Sequence, residues 1–328
     1  MRAAGQGIIA VLGGGNGGHA IAADLALRGW RVNLYEHPSF EEAFRPTLES
    51  CEVTLTGVAG TGRARLNAAT LDMEEALAGA EVVVLAVPAT AQEALFEPLL
   101  PLLRDHHKVV MTPGNLGTLR LRRMMAERGV RSGALLAETN SLPYGARLRG
   151  PAEVYVFATP RRGKALVSAL PATRTGELLP LWRRLYPAFA PADDVLGVAL
   201  SNPNPVVHTP ACILNVGNIQ RPSGDFHLYR EGITEAVARV IRAMHAEVRE
   251  VARGLGTRVP PFSDREYRSR LSVMGACFEA PFDLEGLVME IRGPTSVQNR
   301  YLTEDIPCLV PVSELGDLVG VDTPLVDS

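Results

Sequence analysis

One stretch near the amino terminus limits most strongly what this chain can fold into. The apolar run Ile8-Ile9-Ala10-Val11-Leu12 leads directly into Gly13-Gly14-Gly15-Asn16-Gly17-Gly18, and a helical period follows to Arg28, closed by Gly29. Strand, glycine turn and helix in that order satisfy G-x-G-x-x-G in the setting where it works. The glycines let the chain turn tightly and bring backbone N–H groups to a pyrophosphate at the positive end of the helix. Glu36 ends a second strand, residues 31–35, 18 residues after Gly18, where a carboxylate can bond the adenosine ribose hydroxyls of a dinucleotide. Gly13, Gly15, Asn16, Gly17, Gly18 and Glu36 are therefore the expected cofactor-binding set. NAD(H) is preferred over NADP(H), with Arg45 as the side chain that would favour a 2′-phosphate instead.

Beyond this motif the alternation continues, predicting an α/β domain with a parallel sheet and helices on both faces. Ser39 with Glu42 reads as a capping-box start, 52–56 and 63–66 as a β-ribbon, Asp72 as the cap of a helix 73–77, and 81–87 as a strand buried on both faces. A helix over 90–103 and strands at 108–112, 134–138, 154–158 and 165–170 follow. Two strand ends fall on the ligand side of such a sheet, Ala86-Val87-Pro88 and Pro113-Gly114-Asn115, which adds Val87, Pro88 and Asn115 to the cofactor candidates. Near residue 196 the pattern changes to longer helical runs, the clearest spanning 233–255. The expected organisation is a Rossmann-type dinucleotide domain over 1–196 and a helical domain over 197–328.

Composition narrows the function. Thirty-three basic against 36 acidic side chains leave a formal charge of −3, which provides no net field for nucleic acid. Only Lys108 and Lys164 are lysines; the remaining basic residues are arginines spread along the chain. Cys51, Cys212, Cys277 and Cys308 contain no C-x-x-C, so reduced thiols are expected, with no metal site. No uncharged run approaches a membrane span and no signal-type leader is present, giving the expectation of a soluble, cytoplasmic protein with no membrane partner.

The helical half carries its own chemistry-bearing segments. In Ser201-Asn202-Pro203-Asn204-Pro205-Val206-Val207-His208, a helix starting at Pro205 would place Asn204 and His208 toward one side of its first turn. Arg300-Tyr301-Leu302-Thr303-Glu304-Asp305 offers an arginine and two carboxylates in a short loop. On residue chemistry alone, His208 is equally a core histidine, Asp305 a cap and Arg300 a surface charge. His245, on the long helix, reads as structural.

The motifs GGGNGG, ETNSLPYGARLRG (138–150), NPNPVVHTP (202–210), GDFHLYREGIT (224–234) and RYLTEDIP (300–307), in this order, resemble the octopine/nopaline (opine) dehydrogenase family. The resemblance runs from the first strand to about Pro324. It implies an NAD(P)-binding Rossmann domain joined to an all-helical domain of the 6-phosphogluconate dehydrogenase C-terminal type, with catalysis in a cleft between them. It also implies reduction of the imine formed from an α-keto acid, often pyruvate, and the amino group of an amino acid. Carried over residue by residue, His208 is the catalytic histidine, Asp305 the aspartate that orients it, and Arg300 the grip on a substrate carboxylate. Asn204 is then a substrate contact, while Asn115 and Thr139 are contacts for nicotinamide or keto acid. The chain stops at Ser328, where the family leads one to expect a further helix. A homodimer is compatible with the apolar helical faces.

Two other readings share the layout. Hydroxyacid, ketopantoate and glycerol-phosphate type dehydrogenases resemble one another in using a lysine of the helical domain, and no lysine follows residue 164 here. A non-catalytic dinucleotide-binding protein would have no use for the Asn–His and Arg–Asp set.

Overall fold

A computed structural model describes residues 7–160, 162–262, 278–279 and 293–328. The chain divides into two compact units, Met1–Val195 and Leu196–Ser328.

The first unit runs β1 (Ile8–Leu12), α1 (Asn16–Leu27), β2 (Arg31–Tyr35), α2 (Glu41–Ser50), β3 (Glu52–Gly57), β4 (Gly62–Arg65), β5 (Ala68–Thr70), α3 (Met73–Leu77), β6 (Ala80–Leu85) and α4 (Gln92–Leu99). It continues with β7 (Lys108–Met111), α5 (Gly117–Glu127), β8 (Leu135–Thr139), β9 (Gly145–Gly150), β10 (Glu153–Pro160), β11 (Leu166–Leu170), α6 (Thr175–Leu185) and β12 (Ala190–Pro191). The main sheet has the order β12-β11-β8-β7-β6-β1-β2-β5. Its strands are parallel from β5 to β8, and β11 then pairs antiparallel with β8. Neighbouring residues of the central strands feed opposite cores: Ile9, Val11, Val82 and Val84 pack in one, and Ala10, Leu12, Val83 and Leu85 in the other. Burial on both faces is why these strands are continuous apolar runs. From β1 the chain moves to β2 on one side and later to β6 on the other. Such a reversal opens a crevice beyond the carboxyl end of β1, where open α/β sheets take their ligands.

Several local expectations are corrected. Strand 154–158 does not join the main sheet: β10 pairs with β3 in parallel and with β9 antiparallel, and β3 pairs with β4, forming a second sheet. Ser39 does not cap a helix. Its N–H donates to His37 Nδ1 in a short 3₁₀ turn, because Pro38 favours a turn there, and α2 starts at Glu41. The helix read over 90–103 is regular only over α4, with 3₁₀ turns on either side.

The second unit comprises α7 (Val195–Leu200), which begins at the division, then α8 (Pro203–Ile213), α9 (Val216–Ile219), a π-turn over Leu228–Gly232, α10 (Glu235–Gly254), α11 (Arg300–Thr303) and α12 (Val310–Val319). Helix α8 starts at Pro203 rather than Pro205, because the Asn202 side chain accepts from Asn204 N and Pro203 fits the first helical position. On α10, Val237, Ile241, Met244, Val248 and Val251 form the buried stripe, and His245 is buried with its ring stacked 4.0 Å from that of Phe262. Among the described residues no helix is long and apolar enough to cross a membrane, and no group of three or more His, Cys, Asp or Glu could hold a metal ion. Cys51 and Cys212 are free thiols; Cys277 lies outside the described residues.

Candidate functional sites of the two units

In the first unit the turn from β1 to α1 is drawn tight by backbone approach. Gly13 has φ +111°, and its N–H donates to Tyr35 O at 2.9 Å. A side chain at Gly13 would meet Val87 and the Ala86 carbonyl, and one at Gly18 would meet the Gly13 carbonyl oxygen, so both positions need glycine. At Gly15, by contrast, an added Cβ meets nothing within 4 Å, and no side chain caps α1. An uncapped helix N-terminus under open space fits a dinucleotide pyrophosphate. Gly17 is packed on Leu142. Val87 is half-buried and Pro88 exposed. Asn16 is tied inside the unit, its Oδ1 accepting from Leu148 N of β9 at 2.7 Å.

Glu36 stands at the end of β2, its carboxylate accepting from Gly14 N at 2.9 Å and from His37 N at 2.8 Å. Burial raises its pKa above the ordinary carboxylate value, and those two N–H donors pull it back. A carboxylate offers about four acceptor positions, so ribose hydroxyls can still be received. Arg45 is exposed on α2.

Asn115 and the next residue, Leu116, have φ +50° and +65°, a conformation non-glycine residues seldom adopt. The fully buried Glu138 holds this turn, accepting from Leu116 N, Thr118 N and Thr118 Oγ1 at 3.1, 3.1 and 2.7 Å. The sequence signal for this role was an acidic residue closing a buried strand. Thr139 is fully buried with its hydroxyl on Thr112 Oγ1 at 2.9 Å and on Ser141 O at 2.8 Å, so its polar atom serves the loop.

In the second unit, α8 and the turn just after α11 bring together residues 97 apart in sequence. His208 Nδ1 lies 2.7 Å from Asp305 Oδ2, and each residue is only 2 % exposed. Burial lowers the histidine pKa while the bond to Asp305 raises it, with burial prevailing, so the imidazole is neutral near pH 7. The carboxylate holds the proton on Nδ1 and leaves Nε2 as the basic nitrogen. Nε2 is 2.8 Å from the hydroxyl of Tyr229, and the Tyr301 ring stacks on the imidazole at 4.0 Å. Neither tyrosine was singled out from the sequence, although both lie inside its motifs. Asn204 sits one turn before His208 on α8, half-buried, with no hydrogen-bond partner for its side-chain amide among the described residues. Arg300 pairs through Nη1 with the buried Glu304 at 3.0 Å. Burial opposes its charge, but Glu304 and Asp305 outweigh that and raise its pKa. Its side chain is 47 % exposed, and its other guanidinium N–H groups have no partner among the described residues.

The family described as NAD/NADP octopine/nopaline dehydrogenase, alpha-helical domain, matches residues 191–328, a span that includes the whole His208–Asp305 arrangement. Residues 191–328 thus match the helical domain of the octopine/nopaline dehydrogenase family. Residues 8–126 match the family described as NAD-dependent glycerol-3-phosphate dehydrogenase N-terminus. An opine dehydrogenase of Arthrobacter sp. (strain 1C) is 29 % identical over 97 % of this chain and 88 % of its own length. An octopine dehydrogenase of Pecten maximus is 26 % identical over 91 % of this chain and 82 % of its own. A solved octopine dehydrogenase in complex with NADH and agmatine has the same fold, with a TM-score of 0.75 at 22 % identity, covering 98 % of this chain and 87 % of that one. The two matches together describe a nicotinamide dinucleotide domain followed by a helical one.

Proposed function

We propose that this protein is an NAD(P)H-dependent opine-type dehydrogenase that reductively condenses an α-keto acid with the amino group of an amino acid and catalyses the reverse oxidation. The observation that carries this reading is the buried Asp305–His208 pair. It is a histidine of fixed tautomer, neutral near pH 7, inside the helical domain of an opine dehydrogenase family. The bound nicotinamide supplies a hydride.

Every other part of the chemistry falls to side chains. In the oxidative direction the neutral His208 takes a proton from the substrate nitrogen or oxygen, and Asp305 stabilises the imidazolium that forms; in the reductive direction His208 returns it. Arg300 offers its unpaired guanidinium edge to a substrate carboxylate, and Glu304 keeps the fork aimed. The free amide of Asn204 is a further polar contact for the substrate. In the first unit, the open position over Gly15 and the end of α1 receive the pyrophosphate, and Glu36 the adenosine ribose. A 2′-phosphate would meet the Glu36 carboxylate, which favours NAD(H) over NADP(H). The keto acid and amine are proposed only as classes, and the cytoplasm is the compartment that suits the free thiols.

The hydroxyacid, ketopantoate and glycerol-phosphate alternative needs a lysine in the helical unit, and both lysines lie in the first, where Lys108 Nζ is 2.6 Å from Glu81. The deciding experiment follows NADH and NADPH consumption with pyruvate, oxaloacetate or 2-oxoglutarate, each alone and with a pool of amino acids. Consumption that requires both keto acid and amine is expected. Consumption with keto acid alone would replace this reading by a hydroxyacid dehydrogenase.

A further inference from the structure

Both ring nitrogens of His208 are occupied. Asp305 holds Nδ1, and the Tyr229 hydroxyl stands 2.8 Å from Nε2, the nitrogen that must exchange a proton. The imidazole is almost fully buried, and the Tyr301 ring covers one of its faces. The Tyr229 hydroxyl in turn lies 3.3 Å from that of Tyr301, which is half-buried. The polar groups thus form a row from Asp305 through His208 and Tyr229 to Tyr301, running outward from the most buried pair.

The backbone that presents Tyr229 is fixed. It belongs to the π-turn Leu228–Gly232, a geometry that recurs at functional sites. Asn215 Nδ2 donates to Gly232 O at 3.0 Å and to Ala211 O at 2.8 Å, tying the turn to α8, the helix that carries His208. Phe226, Asn215 and Leu228 crowd Gly232 so closely that an added Cβ there would meet all three. A side chain held this way is built to stay on Nε2.

We propose that the Tyr229 hydroxyl is a proton-relay group, the link through which His208 exchanges its proton with the reacting substrate; this rests on the reading of His208 as the acid–base residue. In the reductive direction the Nε2 proton passes to the Tyr229 oxygen while the hydroxyl's own proton moves on, to the substrate atom directly or to the Tyr301 oxygen as the Tyr301 hydroxyl passes its own proton to the substrate atom. The electron pair of the broken O–H bond stays on Tyr229, which ends neutral, and His208 is left neutral. The oxidative direction reverses each transfer. The charged and titratable groups around the imidazole are Asp305, Glu304 and Arg300 beside α11 and Cys212 on α8, whose thiol is pushed up to about 12 by burial and by Asp305.

Tyr229→Phe keeps the ring and removes the hydroxyl. It is expected to lower the single-turnover rate of hydride transfer at least about tenfold, with NADH affinity and Tm unchanged. In the oxidative direction, the limb of the pH profile set by His208 moves to lower pH, because the imidazolium loses the acceptor for its Nε2–H. ¹⁵N-histidine spectra of the substrate-free protein should show the same downward displacement of the His208 titration. The wild-type protein gives an independent measurement: hydride transfer in H₂O/D₂O mixtures should depend on deuterium fraction along a curve, since two protons move together. A wild-type rate and profile in Tyr229→Phe, or a straight-line dependence in the wild type, overturns the relay. Full turnover in His208→Gln would instead remove the reading of His208 itself, whereas loss in His208→Gln beside a silent Tyr229→Phe removes the relay alone.

Discussion

His208 and Asp305 are separated by 97 residues and joined by one short hydrogen bond. Removing either leaves the other buried without its partner, so both act through the same imidazole. His208→Ala and Asp305→Ala should each lower kcat by roughly two orders of magnitude or more while NADH binding, followed by its fluorescence, is retained; unchanged turnover in either variant would remove that residue from the proposed dyad. Arg300→Ala should act differently, raising the KM for the keto acid by about 10- to 100-fold, the value of one or two charge-assisted hydrogen bonds, with a smaller effect on kcat. At this scale the sequence left His208, Asp305 and Arg300 open between function and bland structural roles, because no local pattern reports a partner nearly a hundred residues away. The family resemblance supplied their grouping. Tyr229 and Glu138 were missed because their importance lies in hydrogen bonds to side chain and loop, with no spacing to advertise them.

Elements built from burial on both faces were the most legible. Strands β1, β2, β6 and β7 are apolar throughout because each has a core on either side, and their ends fall within one or two residues of the pattern. The second sheet was hidden. β10, with β9 beside it, joins β3 through a parallel pairing about a hundred residues apart, and nothing in the segment 154–158 indicates which sheet it enters. Turns were hidden for a related reason, since the left-handed pair Asn115–Leu116 depends on Glu138, two elements downstream. Glu138→Gln keeps the shape but turns one acceptor into a donor facing N–H or hydroxyl groups. It should lower stability by about 1–3 kcal/mol in denaturant unfolding and weaken nicotinamide-dependent turnover. Wild-type stability together with wild-type kinetics would mean that the turn holds itself.

The whole molecule carries a pH dependence that follows from its buried imidazoles. Burial lowers the pKa values of His19, His107 and His208, and His107 falls to about 4. The geometry agrees, since His107 Nδ1 accepts from Arg104 N and cannot do so when protonated. A base whose folded-state pKa lies below its unfolded value, near 6.5, is protonated first in the unfolded chain. Its contribution is therefore complete above that value and is lost as pH falls toward 4, up to about 3 kcal/mol for His107. Tm should decline between pH 6.5 and 4, and His107→Asn should flatten part of that decline; a Tm constant across this range would contradict the assignment.

The bond from Asn16 to Leu148 has a consequence for how the first unit reports its own occupancy. The glycine turn is anchored to the main sheet through Gly13 and Tyr35, and to the second sheet through the Asn16 side chain. Local opening of β9 must break that anchor, so whatever steadies the start of α1 also raises the free energy of opening β9. Filling the turn with dinucleotide should slow amide exchange in β9 as well as in α1, and Asn16→Ala should uncouple the two. The second sheet would then act as a strain gauge on the cofactor turn, recording its occupancy through Asn16.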